Sequence, residues 1–237
     1  MSNMYLDIAT IPDFELGARL YNLHDLSEKD IARVMFTKSR EKGGDSEELS
    51  QNLLRVAAIS ILLLDDDGIS LQTSGGTQTD ELHHLQFLTS VIDEHKPEII
   101  TWDSGRILPV LNYRCLFYGI RTPLAESSAV IDLIAELSGF DEQDPGSLNE
   151  VAILSGFPGI EEMSDQNILN ACLEGGHELI RINLETRVIN TFLIHQRWQL
   201  VCGEIEHSSY EKQLQLIKGY LREKDQIHLS NYVEAMK

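Results

Sequence analysis

The sequence has few cysteines and no long hydrophobic run. Its three cysteines, Cys115, Cys172 and Cys202, are far apart and odd in number, so they form neither a disulfide framework nor a CxxC metal pattern. The longest apolar run, around 59–64, has the length of a strand, whereas a membrane span needs about 18 residues. The N-terminus carries acids and no basic segment, unlike a secretory signal. We therefore expect a soluble, cytoplasmic protein.

Basic residues are also scarce. The chain of 237 residues has 19 Lys and Arg against 38 Asp and Glu, a formal net charge of −19. No basic residue lies between Arg121 and Arg181, where 12 carboxylates occur. Because nucleic-acid affinity comes largely from Lys and Arg that neutralise phosphates, generic duplex binding across this stretch is disfavoured. A local basic strip would still suit nucleic acid, and the acidic stretch would suit a basic protein partner.

What the sequence does contain is a series of strands followed by helices. Apolar patterns predict strands at about 4–10, 55–64, 69–74 and 98–102. Helical spacing predicts helices at 16–21, 27–39, 80–95, 107–118, 131–137, 148–154, 168–173, 177–201 and 210–222, the last of which closes the chain. This order predicts one α/β domain over residues 1–237, with a mixed sheet and a helical C-terminal half. We expect helices on both sides of the sheet, residues 4–8 at its centre, and a helical extension from about 205 to 237.

Ordered blocks of the sequence resemble one protein family. They begin with 6–13, Leu-Asp-Ile-Ala-Thr-Ile-Pro-Asp, and continue at 17–21, 26–36, 108–114, 132–139, 148–159, 185–191 and 193–203. The blocks are similar to those of a bacterial family of predicted 3′–5′ exonucleases related to the proofreading domain of B-type DNA polymerases. That family belongs to the ribonuclease-H-like superfamily. A run of ordered blocks over most of the chain is more specific than one short motif.

The resemblance implies a ribonuclease-H-like mixed sheet and a metal-dependent exonuclease site. In the family, four carboxylates hold two divalent metals about 3.5–4 Å apart; one metal activates water and the other stabilises the leaving oxygen. Active relatives would use Mg²⁺ or Mn²⁺, which prefer oxygen ligands, so acids are required at these positions. A tyrosine four positions before the last acid helps to orient the water.

This sequence departs from the family pattern at most of the ligand positions. The first motif keeps Asp7, but Ala9 stands where the family has a glutamate. The second motif has Ile107 in place of an aspartate. In the last motif, Asn183 replaces the tyrosine and Arg187 replaces the aspartate. The resemblance therefore implies that three of the four metal ligands are lost and that one of them has become a cation.

Two other acids are candidates to replace the lost ligands. Asp103 lies near the second motif, although not directly before Leu108. Glu185 lies two residues from the last motif position, so on a helix it faces the other way. Two readings also remain open for the motif residues themselves. Asp7 is either a relic ligand or a polar residue at a solvated sheet edge, and Arg187 is either a surface arginine or part of the vestigial cleft.

Three functions follow from these alternatives. The first is a catalytically degenerate pseudo-nuclease, kept as a binding or regulatory module, with no cofactor and no membrane association expected. Its candidate partners are weakly bound single-stranded nucleic acid and a basic protein. The second is an active metal-dependent 3′–5′ exonuclease on single-stranded nucleic acid, with Asp7, Asp103 and Glu185 in a rearranged site. The third is protein interaction alone, through the acidic face.

The first hypothesis predicts how the vacated cleft is held together. In the family, the last acid and the first-strand acid face each other across the metals, so Arg187 would stand opposite Asp7. A guanidinium is planar, always charged and suited to a carboxylate. We therefore expect Arg187 to reach Asp7, with Ala9 and Ile107 filling the rest of the cleft with apolar surface.

Overall fold

Strands and helices alternate early in the chain, and helices dominate its second half. The computed structural model describes residues 2–43, 48–75, 80–122, 124, 129–139 and 146–236. Within these residues the strands are β1 (Asn3–Pro12), β2 (Leu54–Asp65), β3 (Gly68–Ser74), β4 (Glu98–Thr101) and β5 (Val130–Asp132). The helices are α1 (Phe14–Tyr21), α2 (Glu28–Gly43), α3 (Glu81–His95), α4 (Ser104–Tyr118), α5 (Leu133–Ser138), α6 (Leu148–Leu154), α7 (Asp165–Glu174), α8 (His177–Cys202), α9 (His207–Glu223) and α10 (Ile227–Ala235).

The strands of the described residues form one mixed sheet in the order β3-β2-β1-β4-β5. The strands β1, β2 and β3 are joined antiparallel, while β4 pairs parallel with both β1 and β5. The register of β1 against β2 shifts between Ala9 and Thr10. The prediction of a mixed sheet with residues 4–8 in its central strand is therefore confirmed.

Both faces of the sheet are covered by helices. Successive side chains of a strand point to opposite faces, so β1 contributes to an apolar cluster on each side. Met4 and Leu6 of β1 lie in one apolar cluster, which includes residues of α1, α2, α3, α4 and α7. Tyr5 lies in a second cluster, which includes residues of α5, α6, α9 and α10. Helix α8 contributes to both, with Leu184 in the first cluster and Val188 in the second. The predicted helices on both sides of the sheet are thus present.

The prediction of a helix from 131 to 137 is wrong at its start. Residues Val130–Asp132 form the short strand β5, which pairs parallel with β4. Two β-branched residues open this segment, and such side chains favour strands over helices. The Asp132 carboxylate then caps α5 by accepting a hydrogen bond from the Ala135 N–H at 2.9 Å. The helix therefore begins only at Leu133.

The prediction that the helix at 210–222 closes the chain is wrong, because a further helix follows α9 within the expected helical extension. Helix α10 (Ile227–Ala235) buries Leu229, Tyr232 and Val233 in the second apolar cluster. Its nine residues are too few to give a clear helical period in the sequence. A helix this short is stabilised mainly by packing against its neighbours α8 and α9. No helix of the described residues is both long and apolar enough to cross a membrane.

Candidate functional site

The carboxylate of Asp7 is buried within the central strand. Asp7 lies opposite Ser60 of β2, and the residue is 4% exposed. Its Oδ1 accepts a hydrogen bond from the Ile8 N–H at 2.8 Å, and its Oδ2 accepts one from Nε of Arg187 at 2.5 Å. Both oxygens are therefore engaged. The alternative of a polar residue at a solvated sheet edge is wrong, because the Asp7 side chain is buried and bonded to Arg187.

Arg187 reaches this carboxylate from α8, which packs against β1 and β2. Oε1 of a second acid, Glu162, lies 3.6 Å from Nη1 of Arg187. Burial alone would lower the pKa of Arg187, but the charges of Asp7, Glu162 and Asp103 outweigh it, so the pKa is raised. The side chain is 22% exposed, so it still reaches solvent. The predicted contact between Arg187 and Asp7 forms, and the reading of a plain surface arginine is wrong.

Asn183, which the resemblance places at a tyrosine position, holds a loop against α8. Its Nδ2 donates a hydrogen bond to the Glu161 carbonyl at 3.0 Å. Two turns further along α8, Asn190 donates to the Gly159 carbonyl at 3.3 Å. Arg187 lies between these two on the same helix face, since residues four and three positions apart are neighbours there. This face of α8 therefore binds the loop that carries Glu162.

Ala9 and Ile107, which are predicted to fill the cleft with apolar surface, lie in the core. Ala9 is 1% exposed and Ile107 is 3% exposed, and both belong to the first apolar cluster. Ile107 lies in the first turn of α4, where its neighbour Val110 is fully buried. Neither side chain offers an oxygen to a cation. Both positions therefore contribute apolar packing and no metal ligand.

Asp103 serves as the N-terminal cap of α4. Its Oδ1 accepts a hydrogen bond from the Arg106 N–H at 3.0 Å, and the helix therefore begins earlier than the predicted residue 107. The carboxylate also helps to raise the pKa of Arg187, so it lies within electrostatic range of the cleft. Asp103 is thus near the Asp7 cleft, but it is engaged in capping.

Glu185 lies in a different polar cluster on α8, formed with residues of β3 and α10. Its Oε1 accepts hydrogen bonds from Thr73 at 3.1 Å and from Arg181 at 2.7 Å. Its Oε2 lies 2.7 Å from Nε2 of His228. The partners of Glu185 are therefore different from those of Asp7, although Thr73 also lies 3.0 Å from the hydroxyl of Ser60, the residue opposite Asp7. Sequence reasoning missed this cluster, because no local pattern connects Thr73 with His228.

The donor set around Asp7 does not fit a two-metal centre. Such a centre needs several convergent carboxylates, whereas Asp7 is bound to a permanent cation. Across the described parts of the chain, no three His, Cys, Asp or Glu side chains converge in a way that could hold a metal ion. The side chains that line this cleft are therefore unsuited to a pair of Mg²⁺ or Mn²⁺ ions.

A family model described as a predicted 3′–5′ exonuclease related to the exonuclease domain of PolB matches residues 46–236. The chain belongs to this family. The mixed sheet with flanking helices and a helical C-terminal half is its ribonuclease-H-like exonuclease fold. The matched residues begin after α2, so Asp7 and the sequence blocks before residue 46 lie outside them. No match was found among curated proteins.

A basic groove adjoins the cleft around Asp7, and it is absent from the predictions made from the sequence. Lys29, Arg33 and Arg40 of α2 line this groove together with Arg106 and Arg187, and its volume is about 840 Å³. The signal in the sequence is the spacing of the α2 residues, which places them along one side of a helix. The strongly acidic composition obscures this local concentration of positive charge.

Proposed function

We propose that this chain is a catalytically inactive member of its exonuclease family that serves as a binding module. The observation that carries the proposal is the ion pair between Arg187 and Asp7, at 2.5 Å. In the family pattern, these two positions hold carboxylates that face each other across the metals. Here one of them carries a positive charge, and its raised pKa keeps it charged at any physiological pH.

The remaining acids support the same proposal, because each has another role. Asp103 caps α4, and Glu185 is bound by Thr73, Arg181 and His228. A two-metal mechanism needs ligands for both ions, and Asp7 alone cannot supply them. An active exonuclease built on Asp7, Asp103 and Glu185 would require these three side chains to leave their present partners.

The proposed module comprises the whole chain, residues 1–237. Its C-terminal helices α9 and α10 contribute Ile217 and Leu229 to the second apolar cluster, which also contains Tyr5 of the central strand. Removing these helices would expose this cluster, so they are expected to be part of the folded unit.

The first test is an assay of the wild-type chain with labelled single-stranded DNA in the presence of Mg²⁺ or Mn²⁺. No metal-dependent degradation is expected. Robust degradation that is abolished by chelation would overturn the proposal. An active relative of the family, assayed under the same conditions, provides the positive control.

The second test restores the ligands by combining Ala9→Glu, Ile107→Asp and Arg187→Asp. Calorimetric titration with Mn²⁺ is expected to show binding in this variant and none in Arg187→Ala, which removes the cation without adding a ligand. Because Ile107 is buried, the fold is checked by circular dichroism. If the triple variant does not fold, the pair Ala9→Glu and Arg187→Asp is titrated instead. Mn²⁺ binding by the wild-type chain equal to that of the restored variant would contradict the proposal.

A further inference from the structure

The groove beside the vestigial cleft concentrates positive charge in an otherwise acidic protein. Five of the chain's 19 basic residues line it, against three acids. The groove runs between α2 and α7, and Arg187 lies at its junction with the Asp7 cleft. A charge distribution that opposes the net charge of the whole chain gives this groove a local preference for anionic partners.

The available positive charge lies on the α2 wall. Lys29, Arg33 and Arg40 are all exposed. Within the described residues, Lys29 and Arg40 form no ion pair, and Arg33 has only a 3.5 Å contact with Asp30 in which both side chains are well exposed. Such an exposed pair contributes little and is readily exchanged. Lys29 and Arg40 are therefore available to bind a ligand, and Arg33 becomes available when it exchanges its contact with Asp30. Glu48 also lines the groove and offsets one of these positive charges.

The other two cations are already neutralised. Arg106 is paired with Asp165, and Arg187 is paired with Asp7 and lies near Glu162. They close one end of the groove without adding much net charge. The groove is thus asymmetric, with its free charge on one wall only.

The opposite wall has no net charge, because Asp165 of α7, its one charged residue among those described, is paired with Arg106. Helix α7 contributes the amides of Gln166 and Asn170, which are bonded to each other at 3.1 Å. It also contributes the apolar side chains of Leu169 and Leu173, and Met163 precedes the helix. Leu173 is only partly buried, so its apolar surface is open to the groove. This wall suits apolar side chains and hydrogen-bonding backbone groups.

We propose that this groove binds an acidic segment of a partner protein, with its carboxylates on α2 and its apolar side chains against α7. From Lys29 to Arg40 the α2 helix rises about 16 Å at 1.5 Å per residue. That length accommodates about five residues of extended peptide at 3.3 Å each. The inference deepens the proposed function and rests on it, since it names the partner that a non-catalytic module binds.

A nucleic-acid strand fits the same groove less well. Single-stranded nucleic acid binds through stacking of bases on aromatic side chains as well as through basic residues. Phe36 is the one aromatic side chain among the described residues that line the groove, and it lies on the basic wall, where the phosphates would have to be. A strand that left the groove would meet a protein surface of strongly negative net charge.

The test is fluorescence anisotropy with the full chain and a labelled ten-residue peptide in which Glu alternates with Leu. Saturable binding is expected. The same peptide with Lys in place of Glu, and a labelled 12-nucleotide oligo-dT, serve as comparison probes. Tighter binding of the oligonucleotide than of the acidic peptide would overturn the inference, as would equal binding of the acidic and basic peptides.

Two sets of charge reversals locate the binding site. The groove variant combines Lys29→Glu, Arg33→Glu and Arg40→Glu, and it is expected to lose affinity for the acidic peptide by at least about tenfold. The matched control combines Lys212→Glu, Lys218→Glu and Arg222→Glu on α9, which changes the net charge equally but lies outside the groove. Equal losses of affinity in the two variants would show that the peptide responds only to the net charge of the protein, and this would overturn the proposed site.

One substitution tests the neutral wall. Leu173→Gln leaves the charge unchanged, and it is expected to weaken binding of the acidic peptide by about fivefold, which corresponds to loss of part of one apolar contact. An unchanged affinity would show that the groove attracts any anion and would contradict the two-walled arrangement. If the groove variant does not fold, Lys29→Ala with Arg40→Ala replaces it. Nuclease activity of the wild-type chain would overturn the proposed function without changing these binding measurements.

Discussion

Arg114 and Arg187 each bind an acid in or directly after the central strand β1, but the two arginines differ in their surroundings. Arg114 of α4 binds Asp13, which follows β1, and Glu81 of α3; each of the three side chains is 5% exposed. Arg187 of α8 binds Asp7 in the middle of β1, and its side chain is 22% exposed. One arginine is enclosed within the fold, whereas the other extends from the fold into a groove.

The hydrogen bonds of the two arginines differ as well. Arg114 donates to both oxygens of Glu81, at 2.8 and 2.6 Å, and to Asp13 at 2.5 Å. Glu81 is held further by the Tyr118 hydroxyl at 3.1 Å and by the Val56 N–H at 2.6 Å. Arg187 has one close hydrogen bond, to Asp7, and a looser contact with Glu162 at 3.6 Å. The buried network therefore satisfies every charged partner of Arg114, whereas Arg187 has one close partner and keeps part of its side chain in solvent.

The largest loss of stability is expected from Arg114→Met. The substitution leaves Asp13 and Glu81 buried without a counter-charge, and breaking such a pair costs about 3–5 kcal/mol. Urea denaturation measures the change in the free energy of unfolding. The matched control is Arg222→Met on α9, an exposed residue that is expected to change stability by less than about 0.5 kcal/mol. Equal effects of the two substitutions would remove the distinction between the enclosed network and the surface.

The second largest change in stability is expected from the titration of His195, a buried side chain that the fold keeps neutral. Burial lowers the pKa of His195 to about 4, and Nδ1 of His195 lies 2.9 Å from the Tyr5 hydroxyl of β1. In the unfolded chain this histidine titrates near 6.5, so the unfolded state binds more protons between these two values. Stability is therefore expected to fall by about 2 kcal/mol as the pH decreases from about 7 to about 5.

Urea denaturation across this pH range measures the loss. His84 adds in the same direction, because burial also lowers its pKa. In the variant His195→Gln the pH dependence should become shallower. An unchanged slope would mean that His195 contributes nothing to it. The stability of the arginine variants is compared above pH 7, where this contribution is small.

A third, smaller effect is expected from Arg187→Met. It leaves Asp7 buried and without its charged partner, but the cleft reaches solvent, so the expected loss is about 1–2 kcal/mol. A double-mutant cycle with Asp7→Asn separates this pair from its surroundings. Additive effects of the two substitutions would show that the ion pair contributes no coupling energy. A loss as large as that of Arg114→Met would place Arg187 among the structural residues.

Much of the sheet could be predicted from the sequence, because its main strands carry strong local signals. The apolar run of β2 predicts a buried strand, and the apolar segment at 4–8 predicts another, whose central position follows from the family resemblance. The strand β5 has only three residues and gives no such signal, and its pairing with β4 provides its stability. The contact between Arg187 and Asp7 was predicted because the family pattern places these positions opposite each other.

The groove and the cluster around Glu185 could not be predicted in the same way. Both depend on helices that meet only in the folded chain: α2 with α7 in the groove, and α8 with α10 around Glu185. The spacing of Lys29 and Arg33 is visible in the sequence, but it does not indicate which helix lies opposite. Tertiary packing therefore decides whether a basic stripe faces solvent or forms one wall of a groove.

The smallest effect is expected from divalent metals, and it sharpens the comparison most directly. A ligand stabilises a protein only when it binds the native state in preference to the unfolded state. Asp7 is bound by Arg187, whose raised pKa keeps its charge, so millimolar Mg²⁺ or Mn²⁺ should leave the thermal midpoint of the wild-type chain nearly unchanged. Differential scanning fluorimetry measures this, with a monovalent salt at matched ionic strength as the control. The variant Arg187→Asp, which brings a second carboxylate to Asp7, is expected to show a larger shift than Arg187→Met, because oxygen ligands and not the absence of the cation determine divalent binding. A large, saturable shift in the wild-type chain would mean that the cleft around Asp7 binds metal with Arg187 in place.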